Sequence, residues 1–303
     1  MKKISEQGHA RVIIVNWNGK HFLGECLSTL EKQSYPNYDV TVVDNGSTDG
    51  SVDFIHDRFP RVHILSLDEN VGFSKANNRA MIGALSDGAQ YIALLNNDTK
   101  VDERWLEHLV RVMESGKDIG ICASKMLRME DPHILDSAGH IFRKGRISER
   151  GHGEVDAHQY DDQIDIVGAC AGACLYRREM LEEIGLFDER YGSYYEDAEL
   201  SWRAYNRGWR ARFVPESMVL HHRGGTTKRD PQIEKEMQIR CAINTAETVR
   251  RHATLGQKLL VSMSCMILVP LREVQKRLDR NDMGGMLYWV QLRRLWSRKA
   301  RVI

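Results

Sequence analysis

Three short turns in this sequence carry acidic side chains, two of them beside amides. The run DNGSTD starts at Asp44, the run NND ends at Asp98, and the pair ED occupies Glu196 and Asp197. Carboxylate and amide oxygens bind hard divalent cations, and a carboxylate can also accept a proton from a hydroxyl. Two such turns at successive strand ends, with a third acidic pair downstream, indicate a site for a polyoxygenated ligand and a hard cation.

Each turn also has an ordinary structural explanation. Asn and Asp favour turns because they hydrogen-bond their own backbone, so Asp44 is equally consistent with the cap of an Asx-turn. Acidic residues favour the N-terminus of a helix, which by itself accounts for Glu196 and Asp197. For each position taken alone, the structural and the functional explanation both remain open. The combination of the three turns favours a functional site.

Alternating strand and helix patterns place the first two turns. Short apolar strands are predicted at residues 12–15, 40–43, 62–65 and 91–95, and the helical segments between them include 51–59 and 74–85. Such alternation predicts right-handed crossovers and an α/β fold with a mainly parallel sheet flanked by helices. Ligands of such sheets bind at the carboxyl ends of the strands, where both turns would lie.

The second half of the sequence is less regular. The predicted elements are a helix at 105–113, an irregular β-excursion or active-site lid at 126–165, a strand within 166–176, helices at 178–184 and 196–207, and a strand at 210–214. Asp230 and Pro231 have the residue types of an N-cap and a first helical position, and the sequence reads as helical from there to its end.

Composition excludes some classes of function. The 303 residues allow one large α/β domain plus an appendage, and the hydrophobic fraction of 42% is ample for a core. Lys and Arg total 43 against 42 Asp and Glu, a net charge of +1 that gives no sign of nucleic-acid binding. The first strand leads into NWNG rather than the glycine-rich GxGxxG of nicotinamide-binding domains, which argues against a dehydrogenase.

The ends of the chain and its cysteines indicate the compartment. The start MKKISEQGHA lacks the apolar core of a signal peptide, and the longest apolar run, 259–271, is shorter than the ~20 residues that span a bilayer. The six cysteines are scattered, and the pair Cys170 and Cys174 has no second pair to complete a four-ligand metal site. We therefore expect reduced thiols in a cytoplasmic protein.

Several motifs, in order, resemble one enzyme family. They are VIIVNWNG (12–19), VVDNGSTDGS (42–51), ENVGFSKANNRA (69–80), LLNNDT (94–99), GLFDERYGSYYEDAELSWRAYNRGW (185–209) and VPESMVLHHRGGTT (214–227). The chain resembles family 2 glycosyltransferases of the GT-A fold, in the bacterial rhamnosyltransferase-like branch, over about residues 10–227. The resemblance implies a catalytic domain at 1–227 and a C-terminal helical, basic amphipathic extension at 228–303.

The resemblance also implies a donor site and a metal site. The nucleotide-sugar would contact Asn16, Asn18, Asp44, Ser47, Asn70, Gly72, Asn77 and Asn97. Asp98 matches the last acid of the family's D-x-D motif, and His222, next to His221, matches the histidine that completes the metal site. Mg²⁺ or Mn²⁺ is the implied cofactor. Asn96 replaces the first acid of that motif, which leaves the choice and affinity of the metal open.

The same resemblance implies inverting transfer of a sugar, with dTDP-rhamnose as one donor. Asp197 would be the catalytic base that takes the acceptor's proton, and Glu196 would grip acceptor hydroxyls. Trp202 would be an aromatic platform for the acceptor sugar, with a core aromatic as the equal alternative. A nucleotidyltransferase and a non-catalytic binder of sugar nucleotides are the rival functions.

The implied acceptor is a glycan or a polyprenyl-linked glycan of a bacterial surface polysaccharide such as O-antigen or a cell-wall linker. Basic residues become frequent after Leu271, and basic amphipathic helices favour anionic membrane surfaces. We therefore expect peripheral contact with the inner face of the cell membrane. A helical cap over the catalytic domain, or a contact in a homo-oligomer, is the alternative use of this extension.

Overall fold

The computed structural model describes residues 8–222 and 231–261, with side chains from 235 onward in the second range. The described residues form two compact units. The first comprises residues 8–141 and 148–222, and the second comprises Phe142–Ile147 and residues 231–261. The predicted domain boundary at 227/228 and the basic stretch after Leu271 lie outside the described residues.

The first four strands and three helices follow the predicted alternation. They are β1 (Ala10–Asn16), α1 (Lys20–Leu30), β2 (Tyr38–Asn45), α2 (Ser51–Arg58), β3 (His63–Leu67), α3 (Phe73–Ser86) and β4 (Tyr91–Leu95). The later elements are β5 (Thr99–Val101), α4 (Trp105–Glu114), β6 (Ile119–Arg128), β7 (Leu135–Ser137), β8 (His140–Arg143), β9 (Arg146–Glu149), β10 (Asp165–Ile166), β11 (Ala173–Arg177), α5 (Arg178–Ile184), α6 (Glu196–Asn206), β12 (Arg210–His221) and α7 (Pro231–His252).

One mixed sheet organises the first unit. Its strand order is β10-β12-β6-β11-β4-β1-β2-β3, with β5 paired to β12 and β7 paired to β6. The pairs β1–β2, β2–β3, β1–β4 and β6–β12 are parallel, whereas β11 is antiparallel to both of its neighbours. The predicted mainly parallel sheet is therefore confirmed; β11 runs antiparallel at its centre, and the short strands β5, β7 and β10 also pair antiparallel.

Alternation along the central strands divides the core into two layers. Val12 and Ile14 pack on one face, with side chains from α1 and α4, while Ile13 packs on the other face with α3, α5 and α6. Successive side chains of a strand point to opposite faces, so helices on both faces require both sets to be apolar. Each fully buried Leu or Ile contributes roughly 1.5–3 kcal/mol, which makes this sandwich the main source of stability.

The segment 126–165 contributes strands rather than one long irregular lid. Residues 119–128 form β6 in the sheet, β7 adds to it, and β8 and β9 form a separate two-stranded sheet. The predicted strand within 166–176 is shorter than expected, since only Ala173–Arg177 is β11. Gly168 lies before this strand and packs closely on α6. A Cβ at position 168 would be 1.9 Å from Oγ of Ser201.

The last strand is longer than the sequence indicates. The predicted strand ends at Val214, but β12 continues through Pro215, which lacks a backbone donor, to His221. A register shift between Val214 and Met218 accommodates the proline, because a bulge leaves a residue unpaired at that point. The extension carries His221 to the edge of the sheet where β4 ends.

Two further expectations concern the described residues. Among the described residues, Cys26, Cys122, Cys170, Cys174 and Cys241 form no disulfide, and Cys265 lies outside those residues. Over residues 8–222 and 231–261, none of the helices combines the length and apolar composition that crossing a bilayer requires.

Candidate functional site

Asn16, the last residue of β1, joins the turns that follow the neighbouring strands. It is fully buried, and its Nδ2 donates to Oδ1 of Asp44 at 3.2 Å and to Oγ of Ser47 at 3.2 Å. Its Oδ1 accepts from Nδ2 of Asn97 at 2.8 Å. The turns after β2 and β4 are thus tied to the same side chain at the carboxyl edge of the sheet.

Asp44 has the structural role that the Asx-turn alternative describes. Its Oδ2 accepts the backbone N–H of Ser47 at 3.0 Å, and Oγ of Ser47 accepts the N–H of Asn18 at 2.9 Å. Asn18 has φ 51°, and its Oδ1 accepts the N–H of Thr48 at 2.8 Å. These bonds shape the loop and bring together Asp44, Ser47 and Asn18, three of the residues expected to bind the donor.

Asn70 and Gly72 lie beside this loop, at the start of α3. Oδ1 of Asn70 accepts from Nδ2 of Asn45 and from the N–H of Gly72, both at 3.0 Å. Asn77, by contrast, is 1% exposed and its Nδ2 donates to the carbonyl of Phe73 one helical turn earlier, at 3.0 Å. The structure therefore brings Asn70 and Gly72 to the edge and uses the Asn77 amide within the helix.

The third turn connects to the second through the segment before β11. The N–H of Asn96 donates to the carbonyl of Gly172 at 2.9 Å, and the N–H of Ala171 donates to Oδ2 of Asp197 at 2.9 Å. Asp197 is partly exposed, and its Oδ1 accepts the N–H of Ala198 at 2.7 Å. Together with the Asn16 bonds, these contacts place the loops of Asp44, Asp98 and Asp197 along one rim.

Glu196 is buried next to Asp197, with 5% of its surface exposed. Burial raises the pKa of its carboxyl well above the usual range, and the neighbouring Asp197 adds to the increase. Its Oε2 has no hydrogen-bond partner among residues 8–222 and 231–261. The neutral, protonated form of Glu196 is therefore favoured.

The backbone before Glu196 is strained. Tyr194 and Tyr195 have φ of 72° and 75°, in the left-handed region that non-glycine residues seldom enter. Two consecutive residues in this region cost on the order of 1–3 kcal/mol each, and such strain concentrates at functional sites. This conformation starts α6 so that Asp197 faces the rim.

A histidine lies against Asp98, but it is the neighbour of the predicted one. Nε2 of His221 is 3.2 Å from Oδ1 of Asp98, and its Nδ1 is 2.7 Å from Oδ2 of Asp136. The ring of His222 turns the other way, to Oε1 of Glu130 at 3.0 Å and to the ring of Phe22. Successive side chains of a strand point to opposite faces, and His222 directly follows the last residue of β12, so the adjacent histidines face different surroundings.

His221 is buried among two carboxylates. Burial lowers the pKa of its imidazole, but the hydrogen bonds to Asp136 and Asp98 outweigh that effect and raise the pKa to about 9. Nδ2 of Asn96 is also 3.2 Å from Nε2. The amide that replaces the first acid of the D-x-D motif thus contacts the same imidazole nitrogen.

Trp202 does not reach the rim. It is 1% exposed within α6, one of the largest fully buried side chains of the protein. An acceptor sugar has no access to this ring, so the core-aromatic alternative replaces the predicted acceptor platform. Trp17, which follows Asn16 directly, is 43% exposed and offers an aromatic face that the prediction did not include.

A separate acidic cluster lies in the segment after β9. Asp156, His158 and Asp161 have ligand atoms within 4.8 Å of one another, a spacing compatible with a cation. Nζ of the buried Lys125 lies 3.2 Å from Asp156 and 2.6 Å from Asp161. This ammonium supplies a positive charge that compensates the two carboxylates of the cluster.

Sequence reasoning missed two contributors to the rim. His221 had a visible signal, the His-His pair after a strand, but the pattern alone could not say which ring faces Asp98. Asp136 had none, because it is a single acid within the segment read as irregular, and only the pairing of β7 with β6 brings it to His221.

Comparisons with known proteins agree with this geometry. The profile described as "Glycosyl transferase family 2" matches residues 11–185. The N-acetylglucosaminyl-diphospho-decaprenol L-rhamnosyltransferase of Mycobacterium tuberculosis is 28% identical over 240 residues, which cover 73% of this chain and 78% of the relative. The dTDP-rhamnosyl transferase RfbF of Shigella flexneri is 23% identical over 267 residues, which cover 86% and 83%.

A solved structure supports the fold. The mannosyltransferase PcManGT from Pyrobaculum calidifontis, in complex with GDP-Man and Mn²⁺, is similar with a TM-score of 0.63 and 16% identity. The likeness covers 99% of this chain and 84% of that one. It confirms the predicted GT-A type of α/β fold.

Proposed function

Because the chain belongs to glycosyl transferase family 2, it is a glycosyltransferase, and we propose that it moves rhamnose from dTDP-rhamnose to a hydroxyl of a lipid-linked glycan, with inversion. The observation that carries this proposal is the hydrogen-bonded rim that unites the loops of Asp44, Asp98 and Asp197. The names of the two rhamnosyltransferase relatives support the choice of donor, and the decaprenol-linked substrate in one of those names supports the choice of acceptor.

The donor nucleotide would lie on the loops after β1 and β2. Asp44 is 3% exposed and each of its oxygens already accepts one hydrogen bond, so a base or ribose would use the remaining lone pairs of the carboxylate. Asn18 and Ser47 line the same loop. Trp17, with its exposed ring, would provide a face on which a pyrimidine base stacks. Asn70, Gly72 and Asn97 would border the sugar and diphosphate.

The residues at Asp98 fit a divalent cation. Two adjacent ligands of an octahedral ion with bonds near 2.1 Å lie about 3 Å apart, and Oδ1 of Asp98 and Nε2 of His221 are separated by 3.2 Å. Asp98 and His221, rather than His222, would hold Mg²⁺ or Mn²⁺. The ion would neutralise charge on the departing nucleoside diphosphate. Ligation requires a neutral imidazole, so the ion must compete with the proton on His221.

Asp197 would act as the base. The acceptor oxygen attacks the anomeric carbon on the face opposite the diphosphate, the bond between that carbon and the phosphate oxygen breaks, and Asp197 takes the hydroxyl proton. The amides of Ala171 and Ala198 hold one oxygen each of this carboxylate, which fixes its orientation while leaving it partly exposed. Oε2 of Glu196 is buried beside this base, so the expected contact of Glu196 with an acceptor hydroxyl does not carry over to the proposed mechanism.

The donor can be identified by a screen of nucleotide sugars for thermal stabilisation, with and without Mn²⁺. A ligand that binds the folded state at a hundred times its Kd stabilises it by about 2.7 kcal/mol, so dTDP-rhamnose with Mn²⁺ should raise the Tm most. Incubation with a lipid-linked acceptor should then release dTDP. Release of pyrophosphate would indicate a nucleotidyltransferase, and binding with no release in the presence of varied acceptors would indicate a non-catalytic protein.

A further inference from the structure

Asp136 is a buried carboxylate outside the expected donor, metal and base residues. It is 1% exposed, and its Oδ2 lies 2.7 Å from Nδ1 of His221. Nδ1 of His152 donates to the backbone carbonyl of Asp136 at 3.0 Å. Asp136 thus contacts the nitrogen of His221 that faces away from Asp98, and the hydrogen bond from His152 holds its backbone there.

The position of Asp136 follows from the pairing of strands. β7 pairs with β6 through Ser137 and Met126, and β6 pairs with β12 through Arg128 and His221. Asp136 therefore lies on a strand that is separated by β6 from the strand that carries His221. This arrangement is part of the sheet and does not depend on a loop for its geometry.

A carboxylate on one nitrogen of an imidazole decides what the other nitrogen can do. Nδ1 lies 2.7 Å from Asp136, whereas Nε2 lies 3.2 Å from Asp98 and 3.2 Å from the Nδ2 donor of Asn96. The shorter contact with Asp136 therefore keeps the proton of the neutral ring on Nδ1 and leaves its lone pair on Nε2. Nε2 is the nitrogen that faces Oδ1 of Asp98 at 3.2 Å. Histidines that ligate metals almost always have such a partner, whose loss weakens metal binding 10–100-fold.

We propose that Asp136 is a positioning residue that fixes the tautomer and ring orientation of His221, so that Nε2 is presented to a divalent cation shared with Asp98. This inference rests on the proposed function, which assigns the cation to Asp98 and His221. Asp136 itself does not touch substrate or metal in this arrangement. It acts through His221 alone, and this dependence makes it testable.

The test measures the binding of Mn²⁺ directly. The full chain is titrated with MnCl₂, and free Mn²⁺ is counted from its EPR signal. Asp136→Asn should raise the Kd about 10–100-fold. Asp162→Asn, the same change at an exposed position of the neighbouring segment, should leave the Kd unchanged. Adding Asp136→Asn to His221→Ala should produce no further loss, because the positioning residue then has no ring to orient.

Two outcomes separate the inference from the proposed function. If Asp98→Ala loses Mn²⁺ binding while a folded Asp136→Asn binds as tightly as the wild type, the inference alone fails. If Asp98→Ala binds Mn²⁺ like the wild type, the metal assignment fails and the inference fails with it. An additive effect of Asp136→Asn on the His221→Ala background would show that Asp136 does not act through His221.

A measurement on the wild-type protein keeps the proposal testable if a variant does not fold. With ¹⁵N-labelled histidine, the His221 resonance is assigned by its absence in His221→Ala, and neutral His221 should carry its proton on Nδ1. Mn²⁺ should broaden this resonance at concentrations that leave His56, an exposed histidine on α2, sharp. A neutral ring protonated on Nε2, or a resonance that Mn²⁺ does not affect, would overturn the proposal.

Discussion

At the scale of single residues, two adjacent acids have opposite properties. Asp197 is partly exposed and accepts backbone N–H bonds on both oxygens, whereas Glu196 is buried with one oxygen unpartnered among the described residues. Burial disfavours charge and raises the pKa of the Glu196 carboxyl, so this residue keeps its proton. The exposed part of Asp197 can meet an acceptor hydroxyl, which suits it to be the base.

Replacing Asp197 tests the base. Asp197→Asn keeps the size of the side chain and removes its ability to accept a proton, so kcat should fall on the order of 10²–10⁴-fold. Binding of dTDP, measured by calorimetry, should be unchanged because Asp197 is not among the residues proposed to contact the nucleotide. Turnover close to that of the wild type would contradict the assignment.

Replacing Glu196 tests its protonation through stability. A buried carboxyl whose pKa is raised on folding stabilises the protein fully only below the unfolded pKa of about 4.3, and this contribution is lost as the pH rises towards the folded value. Glu196→Gln removes the titration. The Tm of the variant should be close to that of the wild type at pH 4 and should exceed it increasingly up to pH 8. An equal difference at both pH values would contradict the prediction.

At the scale of elements, α3 and the segment before α6 are joined. The N–H of Ser74 donates to the carbonyl of Gly192 at 2.8 Å, and the N–H of Phe73 donates to Oγ of Ser193 at 3.3 Å. Free N–H groups at the start of a helix commonly bind phosphate, but here the protein itself satisfies two of them. The donor side of the rim is thereby linked to the segment that carries Glu196 and Asp197.

A glycine at this junction provides a test. Gly72 has φ 87°, and a Cβ there would be 3.2 Å from the carbonyl oxygen of Gly192. Gly72→Ala should destabilise the fold by about 1–3 kcal/mol and, because the catalytic segment shifts, lower kcat about tenfold or more.

Gly88→Ala is the matched control for this change. Gly88 has φ 89°, and no described atom lies within 4 Å of the added Cβ. The control should lose stability in chemical denaturation but retain its kcat. Equal kcat in the two variants would argue against the junction.

At the scale of the whole molecule, the carboxylates of the rim are already compensated without a metal. Asp98 and Asp136 both contact His221, and Asp44 accepts from Asn16 and Ser47. Charged groups that are paired and hydrogen-bonded in the native state do not need an ion to be buried. The fold and the cation should therefore be separable.

Chelation tests this separation. EDTA should abolish sugar transfer, and added Mn²⁺ or Mg²⁺ should restore it. The Tm of the ligand-free protein should change by less than about 2 °C, which corresponds to a fraction of a kcal/mol for a domain of this size. Unfolding in EDTA would show instead that the metal is structural.

The sequence by itself determined the early elements and the identity of most rim residues. Apolar alternation in β1 to β4 is strong because helices cover both faces, and the polar residues that end those strands must then meet at one edge. It could not determine that β12 passes Pro215, that His221 rather than His222 faces Asp98, or that Trp202 is buried. Those outcomes, like the arrival of Asp136 at the imidazole, depend on pairing between segments distant in sequence, which local patterns do not encode.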